Sequence, residues 1–221
     1  MFEYYNERAP EYEACYWGKS PLQISDPDIY KNDTLAIQKL LPGYISGKCI
    51  DIACGTGFWL PVYEKDCTRI TLIDQSESVL AECAKKIHKL GIEDKTKIIL
   101  DEIFSYPFKK QEFDSAFIGF LVSHLSDVEI DDLFDILKKV LLPGGKLAII
   151  DSTWNDEFAQ MCRNKAGMIK RPLSDGREFN IYKRYFEKQG LYSLAERNSV
   201  NIEVVYWGNV FFLATGCFLG T

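Results

Sequence analysis

Short apolar runs alternate with stretches of helical period along most of this chain, and that alternation leaves few architectures open. The runs fall at 49–53, 70–73, 97–100, 115–118 and 146–150. Each is apolar on successive residues rather than on every second one, which predicts parallel strands covered by helices on both faces. Between the second and third runs, Ser76 stands as an N-cap before a stripe of Val79, Leu80, Cys83, Ala84, Ile87 and Leu90, and Gly91 supplies the stop. Between the fourth and fifth, Ser126-Asp127-Val128-Glu129 reads as a capping box opening a helix with Ile130, Leu133, Phe134, Leu137 and Leu141 on one face. Pro143-Gly144-Gly145 is expected to end it. Near the C-terminus, two strand-like runs at 201–206 and 210–215 flank Trp207-Gly208-Asn209, a hairpin signal. The expected fold class is α/β: a doubly wound sheet of about seven strands, mostly parallel with an antiparallel last strand.

A chain of 221 residues suits a single domain spanning 1–221. Within it, 1–32 forms an aromatic N-terminal segment, and 152–200 reads as an insert holding one helix around 185–197. The formal net charge of −6 argues against nucleic acid or an anionic membrane as the main partner. Seven cysteines (Cys15, Cys49, Cys54, Cys67, Cys83, Cys162 and Cys217) are scattered without a CxxC pair. They read as reduced thiols of a cytoplasmic protein. With His88 and His124 as the only histidines, no metal site is expected. No apolar run approaches the ~20 residues needed to span a bilayer. No feature of the sequence fixes an oligomeric state.

The turn after the first run, Asp51-Ile52-Ala53-Cys54-Gly55-Thr56-Gly57, is built of small residues that let a ligand approach the backbone. In an open α/β sheet this turn is the usual ligand crevice. Asp74 ends the second run, where a carboxylate can bond a ribose, and Asp101 ends the third, where it can accept from an adenine amino group. Glu102 could take that second role instead. A glycine turn with acids at these two positions describes a nucleoside cradle. The dinucleotide fingerprint GxGxxG fails, because Leu60 occupies the place of its third glycine. Asp51 beside the turn suits a cationic ligand carrying an amino group.

Over about residues 33–151 the sequence resembles the class I S-adenosylmethionine-dependent methyltransferases of small molecules, whose Rossmann-like fold ends in an antiparallel strand. The segment 51–57 is similar to the family's first motif, with Ala53 where many members carry Gly. Leu142-Pro143-Gly144-Gly145-Lys146 is similar to the family's entry to its fifth strand. The resemblance implies S-adenosyl-L-methionine as cofactor. Asp51, Ala53, Cys54, Gly55, Thr56 and Gly57 would then hold the methionyl part, and Asp74, Gln75 and Ser76 the ribose. Asp101, Glu102 and Ile103 would frame the adenine, and Gly119 and Phe120 would lie near the methyl group. Tyr4-Tyr5-Asn6-Glu7-Arg8-Ala9 resembles the family's opening helix, which implies a lid role for the N-terminal aromatics, Tyr12 and Tyr16 foremost.

The implied reaction is methyl transfer to a small-molecule acceptor, with O-, N- and C-methylation all open. His124, on the rim after the fourth run, is the candidate general base. The stretch 163–188 reverses the charge of the chain, with Arg163, Lys165, Lys170, Arg171, Arg177, Lys183, Arg184 and Lys188 against three acids. That excess suggests an anionic acceptor, a carboxylate or phosphate, bound by Arg171 or Arg177. The alternatives are a tRNA or protein methyltransferase, a non-catalytic protein that binds the cofactor, and a nicotinamide oxidoreductase, which the missing third glycine disfavours.

Overall fold

The computed structural model describes residues 2–20, 26–161 and 164–219; Cys162 and Arg163 lie outside them. The chain opens with α1 (Phe2–Arg8), a 3-10 stretch (Ala9–Trp17) and α2 (Asp28–Leu40). The alternation follows as β1 (Gly47–Ile52), α3 (Leu60–Tyr63), β2 (Cys67–Asp74), α4 (Glu77–Leu90), β3 (Thr96–Leu100), β4 (Phe113–Gly119), α5 (Asp127–Val140) and β5 (Leu141–Ser152). The C-terminal part holds α6 (Glu157–Gln160), β6 (Ala166–Pro172), β7 (Glu178–Arg184), α7 (Lys188–Arg197), β8 (Val200–Trp207) and β9 (Phe211–Phe218).

Among the described residues, seven strands form one sheet in the order β3-β2-β1-β4-β5-β9-β8. Neighbours from β3 to β5 pair in parallel, and β9 runs antiparallel to both β5 and β8. The order reverses between β1 and β4, and at such a switch point the loops diverge and leave a crevice. Both faces are covered, as the continuous apolar runs require. Ile130, Leu133, Phe134 and Leu137 of α5 pack with Leu191 and Leu194 of α7 on one side. Ile37 of α2, Leu60 and Tyr63 of α3, and Cys83 and Ile87 of α4 pack on the other.

The two predicted helix starts form as read. Ser76 accepts from the Val79 amide, and Ser126 and Glu129 complete a reciprocal capping box. Gly91 ends α4 in the left-handed region. Three details differ from expectation. Pro143-Gly144-Gly145 does not stop α5, which ends at Val140; it lies within β5, where the register with β4 shifts. The helix expected from 185 begins at Lys188, because Phe186 is drawn into a bridge with Thr153. The 152–200 stretch also holds a separate two-stranded hairpin, β6–β7. Its inward face carries Ile169, Arg171, Phe179, Ile181 and Lys183, with Arg171 opposite Phe179 and Ile169 opposite Ile181. Ile181 and Leu173 pack against Tyr4 of α1, so the hairpin and the N-terminal helix bury each other. Among the described residues, no helix is long and apolar enough to cross a membrane.

Candidate active site

The turn after β1 is forced into left-handed backbone at Ala53 (φ 53°), Gly55 (φ 54°) and Gly57 (φ 68°). For Ala53 that conformation is strained, and strain of this kind gathers at ligand sites. Gly57 has a packing reason as well: a Cβ there would meet Cys83 Sγ of α4 at 2.7 Å. The opposite rim, after β4, carries a second strained residue, Phe120 (φ 59°). Between the two rims opens a cavity of about 280 Å³.

Most of the sequence-predicted residues meet on this cavity. Tyr12, Ala53, Gly55, Asp74, Gln75, Ser76, Asp101, Glu102, Ile103, Gly119, Phe120 and His124 all line it. Asp74 is fixed by two backbone donors, Gly55 N–H to Oδ2 and Ser76 N–H to Oδ1, each at 2.9 Å. Burial nonetheless raises its pKa, against those bonds. Glu102 spends one oxygen on the amides of Phe104 and Ser105, whereas Asp101 accepts only from the Glu102 amide at 2.7 Å.

Tyr16, Asp51 and Cys54 line a narrow cleft that continues inward from the cavity, with Trp59 and Phe117. Asp51 is 2% exposed, accepts from the Tyr63 hydroxyl through Oδ2, and leaves Oδ1 buried without a partner among the described residues. Trp59 Nε1 on the same cleft is also buried, with the Tyr16 hydroxyl beside it. Burial pushes the Asp51 carboxyl up to about 8, with the Tyr63 bond opposing and Asp74 adding. Thr56 and Gly57 line neither space; the Thr56 hydroxyl donates instead to Glu13 at 2.8 Å.

The aromatic N-terminal segment covers the cavity. Tyr16 stacks on Phe58 with centroids 3.9 Å apart, and Asn6 accepts from the Ser76 hydroxyl at 3.0 Å. Tyr5, which sequence reasoning did not single out, reaches furthest: its hydroxyl lies 2.6 Å from His124 Nε2. His124 Nδ1 faces the Tyr182 carbonyl at 2.8 Å, and a carbonyl only accepts. Nδ1 therefore carries the proton, and Nε2 accepts from Tyr5. Burial first, then Lys183, push the His124 pKa well below its ordinary value, with Arg171 and Arg8 adding and the Tyr182 bond opposing.

Behind Tyr5, Tyr12, Phe120 and His124 lies a second, smaller cavity of about 80 Å³. Arg8, Arg171 and Lys183 line it, with Tyr185 and Ser152. Lys183 is 4% exposed, donates to Ser123 Oγ, and sits 3.5 Å from the buried Asp151. Arg171 donates to the Tyr185 hydroxyl at 3.2 Å. Of the two arginines expected to bind an anion, Arg171 is here. Arg177 is not: it lies half-exposed in the hairpin turn, paired with Glu7 at 2.8 Å and Asp175 at 2.7 Å. Arg8 went unnoticed in the sequence because it stands alone in an acidic stretch, although one face of α1 places it near Tyr5.

Residues 49–145 match a family described as a methyltransferase domain. The sterol 4-C-methyltransferase strm-1 of Caenorhabditis elegans is 26% identical over 113 residues, covering 50% of this chain and 32% of that protein. The demethylmenaquinone methyltransferase of Staphylococcus aureus (strain MRSA252) is 28% identical over 109 residues, covering 48% of this chain and 43% of the relative. The chain thus spans less than half the length of these curated relatives. Among solved structures, a DhpI–SAH complex superposes with a TM-score of 0.78 at 22% identity, covering 100% of this chain and 96% of that one. A DhpI–SAM–HEP complex gives 0.77 at 24%, covering 97% and 94%. With its turn, its acids and its strand order, the chain is similar to the class I S-adenosylmethionine-dependent methyltransferases, and its residues 49–145 carry the match to a methyltransferase domain.

Proposed function

We propose that this protein transfers the methyl group of S-adenosylmethionine to a small anionic molecule. The observation that carries the cofactor half is the unpartnered buried oxygen of the inner cleft, Asp51 Oδ1. That oxygen can only accept, which fits the ammonium of an amino-acid group. Asp74 would hold the ribose hydroxyls. Asp101 suits the adenine better than Glu102, whose side chain is already committed to the turn. When bound, the cofactor supplies an electrophilic methyl on a sulfonium. The chain's part is to align the acceptor and exclude water.

The acceptor half rests on the smaller cavity. Its size favours a small molecule, and its cations favour a negative one. The N-terminal segment 1–32 acts as the lid, and the β6–β7 hairpin within 152–200 as the acceptor-recognition element. His124 holds Tyr5 and so positions the lid. The described thiols, Cys15, Cys49, Cys54, Cys67, Cys83 and Cys217, are free, which supports a cytoplasmic location.

Isothermal titration with S-adenosylmethionine, S-adenosylhomocysteine and NADH tests the cradle. Micromolar binding of the adenosyl ligands is expected, weaker by about a hundredfold in Asp74→Ala, where buried bonds to two hydroxyls are lost. Binding of NADH in preference would overturn the reading.

A further inference from the structure

Among the described residues, three cations and no carboxylate line the smaller cavity. Lys183 is balanced by Asp151. Arg8 and Arg171 have no carboxylate partner among the described residues: Arg8 lies over the rings of Tyr4 and Tyr12, and Arg171 meets a tyrosine hydroxyl. Arg177, Arg184 and Arg197 are each paired with an acid. Secluded guanidiniums without counter-charge are costly, and the two come from different elements, α1 and β6, onto one space. The Cys15 thiol and the His124 ring each feel Arg8, Arg171 and Lys183, so the three charges converge.

The wall shared with the cofactor cavity is Tyr5, Tyr12, Phe120 and His124. It offers no base with a lone pair to spare. Both His124 nitrogens are engaged, Lys183 is tied to Ser123 and Asp151, and burial keeps the Tyr5 and Tyr12 hydroxyls protonated. An acceptor that must lose a proton finds nowhere to leave it. An acceptor oxygen that is already charged needs no base.

Resting on the methyl-transfer reading above, we infer that the anion held by Arg8 and Arg171 is itself the nucleophile rather than a handle, and that the product is its methyl ester. A lone pair on the acceptor's charged oxygen forms the new carbon–oxygen bond while the methyl–sulfur bond breaks and leaves its electron pair on sulfur. The acceptor loses one negative charge, the sulfonium loses its positive one, and no proton moves. Two uncompensated guanidiniums match the two charges of a phosphonate or phosphate monoester better than the single charge of a carboxylate.

Ethylphosphonate, propanoate and 1-propanol, similar in size, separate the possibilities when titrated into the full chain saturated with S-adenosylhomocysteine. Ethylphosphonate is expected to bind most tightly and 1-propanol to give no heat. Arg8→Gln and Arg171→Gln should each weaken ethylphosphonate by about tenfold or more, the worth of one charge-assisted bond. Unchanged affinity of both variants for S-adenosylhomocysteine shows that they fold. With the 13C-methyl cofactor, the product methyl carbon should show coupling to phosphorus. The inference is overturned by 1-propanol binding as well as the anions, by ethylphosphonate affinity indifferent to both arginines, or by bound ethylphosphonate that gains no methyl. A wild-type chain that fails to bind S-adenosylhomocysteine overturns the underlying cofactor reading instead.

Discussion

Asp51 carries a conflict that a ligand can resolve. Its folded pKa is raised above the unfolded one, so the folded state favours the protonated form. Its contribution to stability is therefore complete below the ordinary carboxyl pKa and is lost as pH rises towards about 8. Ligand-free protein is expected to melt at progressively lower temperature between pH 5 and pH 8, and Asp51→Asn to flatten that decline, in scanning fluorimetry run across pH. An identical slope in the variant would place the linkage elsewhere. Ala53 gives a second test. Its left-handed backbone tolerates Gly and penalises β-branching, so Ala53→Gly should leave the melting temperature within a few degrees while Ala53→Val costs about 1–3 kcal/mol by urea unfolding.

The N-terminal segment and the hairpin are held by polar stitches as well as by the packing of Tyr4 on Leu173 and Ile181. Glu7 bonds Arg177, Glu11 accepts from the Ser174 amide, Glu13 pairs with Lys86, and Tyr5 donates to His124. The exposed ion pairs among them are worth about 0–1 kcal/mol each, and the buried Tyr5–His124 hydrogen bond about 0.5–1.5 kcal/mol. Tyr5→Phe, which keeps the ring and deletes the bond, should therefore speed amide exchange across the N-terminal segment severalfold while leaving β1 and β4 protected. Equal protection of the N-terminal segment would mean that packing alone holds it. The elements that were readable from sequence are those whose signal is local. The apolar runs of β1, β2, β4 and β5 and the caps at Ser76 and Ser126 need no knowledge of partners. The β6–β7 hairpin was not readable, because one face meets solvent and the other meets α1 and a cavity, so charged residues interrupt every apolar period. The cavity lined by Arg8, Arg171 and Lys183 is assembled from α1, β6 and β7, and only tertiary packing brings those together. Arg177 looked equivalent to Arg171 in composition; the hairpin's two-residue period put one inside and left the other in the turn.

At the scale of the molecule, the sheet is completed from its far end. β9 lies between β5 and β8 and carries Phe212, Leu213 and Ala214, all fully buried. Truncation after Asn209 removes the strand that both neighbours bond, and should abolish soluble expression and cooperative thermal unfolding rather than trim an edge. Soluble yield and circular dichroism of the shortened chain check this. The same placement orders events during synthesis. A ribosome makes β9 after every other strand of the sheet, so the outer edge of β5 waits unpaired while the chain emerges. An open, apolar strand edge is a template for mispairing. The nascent protein is thus most exposed to aggregation before β9 is released, and slow translation or premature termination there would present that open edge to quality control.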